Sequence, residues 1–199
     1  ARLKTRRSFS NVLQLMEEYP EFVFVQSQAQ LYEYIRQDDP KMFASIQEHV
    51  RRGVWEPVGG MWVEADSNLI GPESMVRQFL LGSQFFDRHL GCRSRVLWMP
   101  DVFGFSWSLP QLAREAGMKY MFTTKMGWNE YNYLPFESFW WQGLDGSCLL
   151  THFSPIRFNN EGFPGTYNAH VSPEEVAGSW KHTFQKEGGR VGQNVPQLM

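Results

Sequence analysis

The feature that most constrains this chain is a recurrence: a short apolar, β-branched or aromatic run, then residues at helical spacing, several times over. Phe22-Val23-Phe24-Val25, Arg95-Val96-Leu97-Trp98-Met99 and Tyr120-Met121-Phe122-Thr123-Thr124 are too short for buried helices and have the composition of covered strands. Helical patterns alternate with them. Phe9, Val12, Leu13 and Met16 predict a helix over 9–18 that stops at Tyr19-Pro20. Asp39-Pro40 supplies a cap and a first-turn proline for a second helix carrying Phe43, Ile46 and Val50, with Gly53 as its stop. Pro72 opens a third, with Val76, Phe79, Leu80 and Phe86 as core candidates and Gly91 at its end. A fourth runs from Leu109 to Ala116 and stops at Gly117. Strand-helix repetition implies parallel strands joined by right-handed crossovers. The expected class is therefore α/β, as an open doubly wound sheet or a closed or partly closed barrel. Two segments modify the repeat. Trp55 to Val63 is extended but broken at Gly59-Gly60, and Ser138 to Phe153 reads as a hairpin around Asp145-Gly146. From about Asn159 onward Gly, Pro and polar residues dominate and no element is assigned.

Length admits one core, or most of a larger α/β domain, in 199 residues. The chain begins at Ala1, almost inside a helical pattern, which suggests a piece of a longer protein. The net charge is -2, and the early cluster Arg2, Lys4, Arg6 and Arg7 thins out at once, so no basic stripe points to nucleic acid. No run approaches the ~18 apolar residues of a membrane span and no secretory leader is visible, so the expected location is cytoplasmic, away from membranes. Cys92 and Cys148 are far apart and form no C-x-x-C pair, which argues for ordinary thiols.

In parallel α/β architectures the reactive side chains come from loops at the carboxyl ends of strands. Asp101 is placed there, directly after the 95–99 run and before Val102-Phe103-Gly104. By spacing alone it serves equally well as a metal ligand or nucleophile, or as a cap of the next helix.

The segment Trp98-Met99-Pro100-Asp101-Val102-Phe103-Gly104-Phe105-Ser106, closing in Leu109-Pro110-Gln111, resembles the P-D-x-F-G-x-S signature of family 38 glycoside hydrolases, zinc-dependent α-mannosidases. The resemblance extends to Phe24 through Gln30, to Trp55 through Asp66, and to Gly71-Pro72-Glu73-Ser74 with Arg77-Gln78. These blocks stand in the family's order over roughly the first four-fifths of the chain, with the spacing of the bacterial and cytosolic branch. The resemblance implies that 1–199 is part of a catalytic domain built as a seven-stranded α/β barrel with mostly parallel strands. It implies hydrolysis of terminal α-mannosidic linkages with retention, through a covalent mannosyl-aspartate at a site holding Zn2+. Asp101 inherits the roles of nucleophile and zinc ligand. Phe103 matches an aromatic beside the nucleophile, though a core ring is an equal reading. Lys125 stands where another branch carries a substrate-side arginine, though a solvated lysine is the plainer reading.

Other residues take structural readings. Glu64 and Asp66 are expected to hold loop backbone and His152 to be a hydrogen-bonded structural histidine; Trp128 is a candidate sugar platform, and Trp140 and Trp141 suit a core. The family's His-x-Asp pair, a later histidine ligand and the acid/base aspartate have no counterpart in 1–199. A zinc site needs about four donors, so this chain alone is expected to lack a complete site. The implied partner is an α-mannoside or a mannose-containing oligosaccharide. Alternatives are a non-catalytic carbohydrate-binding or interaction module, or another metal-dependent barrel hydrolase.

Overall fold

The computed structural model describes residues 1–125, 138–154, 173–174 and 197–198. In chain order the elements are α1 (Arg2–Glu18), β1 (Phe24–Gln26), α2 (Ala29–Asp38), α3 (Pro40–Arg51), β2 (Trp55–Pro57), α4 (Pro72–Phe85), β3 (Val96–Met99), α5 (Leu109–Glu115), β4 (Tyr120–Thr123), β5 (Ser138–Gln142), β6 (Cys148–Phe153) and β7 (Gln197–Leu198). The class is the expected one, α/β with parallel strands. β1 and β2 pair in parallel, Phe24 opposite Trp55. A second sheet has the order β3-β4-β6-β5-β7. Within it β3, β4 and β6 are parallel, whereas β5 and β6 form the antiparallel hairpin predicted around Asp145-Gly146. Gly146 takes the left-handed conformation, φ +85°, which a tight reversal favours.

The two sheets meet through one residue. Gly59 N–H donates to Val96 O at 3.0 Å and to Ser94 Oγ at 3.1 Å, so the chain leaving β2 runs on beside β3. A side chain at Gly59, itself at φ +85°, would lie 3.2 Å from Ser27 Cβ and 3.5 Å from Trp98 Cβ.

Hydrophobic burial is organised in two clusters. In the first, α1, α2 and α3 pack Phe9, Tyr32, Ile35, Phe43 and Ile46 around Trp55 of β2. Its centre is a group of edge-on aromatic contacts, with Phe9 and Phe24 at 5.1 Å and 4.8 Å from the Trp55 ring. In the second, α4 and α5 cover one face of the larger sheet, where Leu97, Met99, Met121, Phe139, Leu149 and Phe153 alternate inward as a two-residue period requires. The helix α4 belongs to both: Met75 and Phe79 point into the second cluster and Phe85 into the first.

Three differences from the sequence reading have physical causes. The first helix begins at Arg2 rather than Phe9, because Arg2 and Arg6 reach Asp38 and Asp39 of the neighbouring helix at 2.6 Å and 3.0 Å, a polar face that apolar spacing does not report. The helix α2, unassigned from sequence, buries only Ala29, Tyr32 and Ile35 and has no side-chain cap. Among the third-helix core candidates, Phe79 and Phe86 are buried, while Val76 and Leu80 remain 44% and 51% exposed on the rim of a groove of about 340 Å³ facing Leu112 and Ala116. Before stopping at Gly91, α4 widens into a single π turn over Phe86–Leu90.

At Gly82 the packing is backbone against helix, with no room for a side chain. A Cβ at Gly82 of α4 would come within 2.6 Å of Trp62 N and 2.5 Å of Gly60 O. Gly82→Ala is therefore expected to destabilise the fold by about 3 kcal/mol or more, since backbone cannot swing aside as a side chain does. Urea unfolding monitored by tryptophan fluorescence measures this, with Gly53→Ala, whose Cβ would meet nothing within 4 Å, reporting the cost of a left-handed glycine alone.

Candidate functional site

Parallel register places the first pair of functional groups. Met99 of β3 is opposite Thr123 of β4, and two residues beyond each partner come Asp101 and Lys125. They meet as an ion pair, Lys125 Nζ to Asp101 Oδ1 at 3.0 Å. The pair is lopsided: the lysine side chain is only 3% exposed and that of Asp101 59%. Lys125 is thus no solvated surface lysine. A buried ammonium without a counter-charge would be strongly disfavoured, and Asp101 supplies one at 3.0 Å.

Phe103 completes the cluster. Its ring centroid lies 4.8 Å from Lys125 Nζ, a cation–π contact, and the residue is 69% exposed, so it forms no part of the core. All three residues singled out from sequence therefore stand together at the carboxyl ends of β3 and β4. The loop carrying them is pinned from the side. Ser67 N–H and Oγ–H donate to Gly104 O, and Ser106 N–H donates to Ser67 Oγ at 2.6 Å. The Asp66 carboxylate lies against Gly104, where a Cβ would fall 2.7 Å from Oδ2. The glycine of the P-D-x-F-G segment is therefore required for close approach, and Asp66 holds loop backbone by accepting from Asn68 N–H at 2.9 Å.

Glu64 behaves differently from its expected role. Among the described residues it takes no backbone hydrogen bond; Ser27, just past β1, donates its hydroxyl to Glu64 Oε1. Burial pushes its carboxyl up to about 7, with the negative charge of Asp101 adding to the rise and the Ser27 hydrogen bond opposing it. The serine was not singled out from sequence, since a lone serine after a strand carries no pattern of its own. Two buried hydroxyls beside Lys125, Thr123 Oγ1 and Thr124 Oγ1, have no hydrogen-bond partner among the described residues.

His152 on β6 is hydrogen-bonded, Nδ1 to Ser138 Oγ at 2.8 Å, as a structural histidine should be, and burial lowers its pKa. Its ring continues a row across the sheet in which Trp98 and Phe122 stack at 4.3 Å. Trp141 is buried and Trp140 is 40% exposed; Trp128 lies outside the described residues. Burial also raises the Cys92 thiol to about 11, which leaves it unreactive at neutral pH. No group of three or more His, Cys, Asp or Glu side chains is placed to hold a metal ion among the described residues.

Comparison with known proteins gives this geometry its context. Residues 2–192 match the glycosyl hydrolases family 38 N-terminal domain. Alpha-mannosidase 2C1 of Homo sapiens is 47% identical over 152 residues, 76% of this chain, and alpha-mannosidase G of Dictyostelium discoideum is 41% identical over 173 residues, 87% of this chain. The chain spans only 15% of the length of either relative. Among solved structures, an alpha-mannosidase from Enterococcus faecalis V583 superposes over 100% of this chain and 22% of its own, with a TM-score of 0.70 at 20% identity. A 4-alpha-glucanotransferase from Thermococcus litoralis superposes over 74% of this chain and 23% of its own, with a TM-score of 0.59 at 20% identity. At these identities the two superpositions speak to the fold alone.

The raised carboxyl of Glu64 has a measurable consequence. A carboxyl that binds its proton more tightly when folded adds stability below its unfolded pKa of 4.5, and that contribution is lost as the pH rises through about 7. Midpoints of thermal unfolding should therefore fall between pH 4.5 and 7, and in Glu64→Gln this part of the decline should vanish. An unchanged slope in the variant would place the titration elsewhere.

Proposed function

This chain belongs to glycosyl hydrolase family 38, and from that premise we propose that it forms part of the catalytic domain of an α-mannosidase cleaving terminal α-mannosidic linkages. The observation that carries the reading is the Asp101–Lys125 pair: an exposed carboxylate just past a strand end, paired with a buried ammonium, inside the P-D-x-F-G segment. The family model over 2–192 and relatives named alpha-mannosidases support it.

In this reading Asp101 is the nucleophile of a retaining hydrolysis. Its carboxylate attacks the anomeric carbon, the glycosidic bond breaks, and the leaving oxygen is protonated by a second carboxyl group, which in retaining enzymes stands ~5–5.5 Å away. Water then hydrolyses the mannosyl ester with overall retention. The exposure of Asp101 suits attack on a bound sugar, and Phe103 offers its exposed ring beside the nucleophile to the apolar face of the glycone. Lys125 orients the carboxylate through the 3.0 Å ion pair. The acid/base group has no counterpart assigned in this chain.

Zinc is the cofactor the family reading implies, with Asp101 as a ligand. When bound, the metal would act as a Lewis acid that grips sugar hydroxyls. The donors described here do not make such a site, since Asp101 faces an ammonium and no cluster of further ligands surrounds it. In the family reading the remaining donors come from blocks that have no counterpart assigned in 1–199. The continuity from β1-β2 through Gly59 into β3-β4-β6 supports a partly closed barrel wall, and the family reading extends it to seven strands. A cytoplasmic location fits the same branch; no helix among the described residues is long and apolar enough to cross a membrane.

Two outcomes test the reading. In a protein of the relatives' length containing this chain, Asp101→Asn should cut turnover of an aryl α-mannoside by about a thousandfold or more while leaving the unfolding midpoint nearly unchanged. Parental rates in the variant would remove Asp101 from the chemistry. The 199-residue chain by itself should show no α-mannosidase turnover and no tight stoichiometric zinc by calorimetric titration, because only one ligand is assignable in it.

A further inference from the structure

A carboxyl group removed from water needs partners, and the partners it lacks show what it is placed to receive. Glu64 has one, the Ser27 hydroxyl on Oε1; its second oxygen, Oε2, makes no hydrogen bond among the described residues. The surrounding loop is held without it. Ala29 and Gln30 N–H groups donate to Met61 O and Trp62 O at 3.2 Å and 3.0 Å, Trp62 N–H donates to Gln78 O at 2.9 Å, and Val63 N–H donates to Gln78 Oε1 at 2.9 Å. Fixing the backbone therefore does not account for a carboxyl at this position.

The position is that of the site. Ser27 follows β1, and Glu64 lies in the irregular segment that leaves β2 after Pro57. The glycine between the sheets, Gly59, sits against both Ser27 and Trp98, three residues before Asp101. The charge of Asp101 is felt at Glu64. The Lys125 ammonium is engaged by Asp101 and the Phe103 ring. A neutral hydroxyl donor satisfies the remaining oxygen without adding charge to two neighbouring carboxyl groups, and such donors ring a sugar.

We propose that Glu64, anchored by Ser27, is a specificity-determining residue of this site whose Oε2 accepts a hydrogen bond from one hydroxyl of the glycone, an inference that rests on the α-mannoside reading above. Sites built to hydrogen-bond a hydroxyl discriminate sharply against an analogue that lacks it, because the protein group is then left unpaired.

The test uses a protein of the relatives' length containing this chain, an aryl α-mannoside, and its monodeoxy analogues that each lack one ring hydroxyl. The parent should lose about 10- to 100-fold in kcat/KM on the analogue missing the hydroxyl that Glu64 receives. In Glu64→Gln that one discrimination should shrink toward unity, while the factors for the other hydroxyls stay as in the parent. Ser27→Ala keeps the carboxyl and removes only its anchor; it should weaken the same discrimination in part, and it carries the test if the glutamine variant does not fold. Equal discrimination by parent and variants at every hydroxyl overturns the assignment of Glu64 while leaving the mannosidase reading intact. Absence of parental turnover on the intact mannoside overturns both.

Discussion

The seating of the Gly60–Trp62 backbone on Gly82 of α4 is the contact on which the rest of this structure depends. With no side chain at Gly82, the helix lies against main chain, and the Ser83 hydroxyl donates to Gly60 O at 3.3 Å. The opposite side of the same segment receives the first N–H groups of α2, at Ala29 and Gln30, which helix geometry leaves without intrahelical partners. A stretch of irregular chain is thereby held as rigidly as a strand. Everything downstream of it, Glu64, Asp66 and the Ser67 staple to Gly104, inherits that fixed position.

Electrostatics at the strand ends is equally economical. One ammonium, buried on its stem and lying over Phe103, pairs with one exposed carboxylate. A second carboxyl, Glu64, lies close enough to feel the first and has a hydroxyl rather than a cation for company. The two acids thus sit in different surroundings, a pattern common to sites where carboxyl groups divide labour. The fold creates this difference by delivering Asp101 just past β3 and Glu64 from the loop that follows β2.

Much of this was legible in the sequence. Helix starts at Asp39-Pro40 and Pro72, stops at Gly53, Gly91 and Gly117, and the Asp145-Gly146 turn follow from capping and backbone preference, which act locally and leave a residue-level trace. Asp101 was legible because a strand end plus a family segment fixes both its place and its neighbours. What escaped the sequence depends on partners distant in the chain. The helix α2 shows little apolar periodicity because its stability comes from Tyr32 and Ile35 reaching Trp55 and from arginines on α1. The burial of Lys125 is set by the β3–β4 register, and nothing around position 125 announces it. Ser27 acquires meaning only from Glu64, 37 residues away.

The helix α4 contributes to both hydrophobic clusters, Met75 and Phe79 to one and Phe85 to the other. The segment that carries Glu64 touches both: Met61 and Ala65 lie in the cluster of Met75, Met99 and Val102, and Trp62 packs against the other. Through Gly82, on which the Gly60–Trp62 backbone is seated, the helix therefore sets the spacing between Glu64 and the strand end that carries Asp101. A cavity or bulge introduced under its middle turn would alter that spacing without touching either acid, and near-atomic misplacement of this kind costs rate steeply. Under the proposed α-mannosidase reading, lesions of packing in α4 would then surface in kinetics as altered substrate preference, at temperatures where the fold itself is still intact.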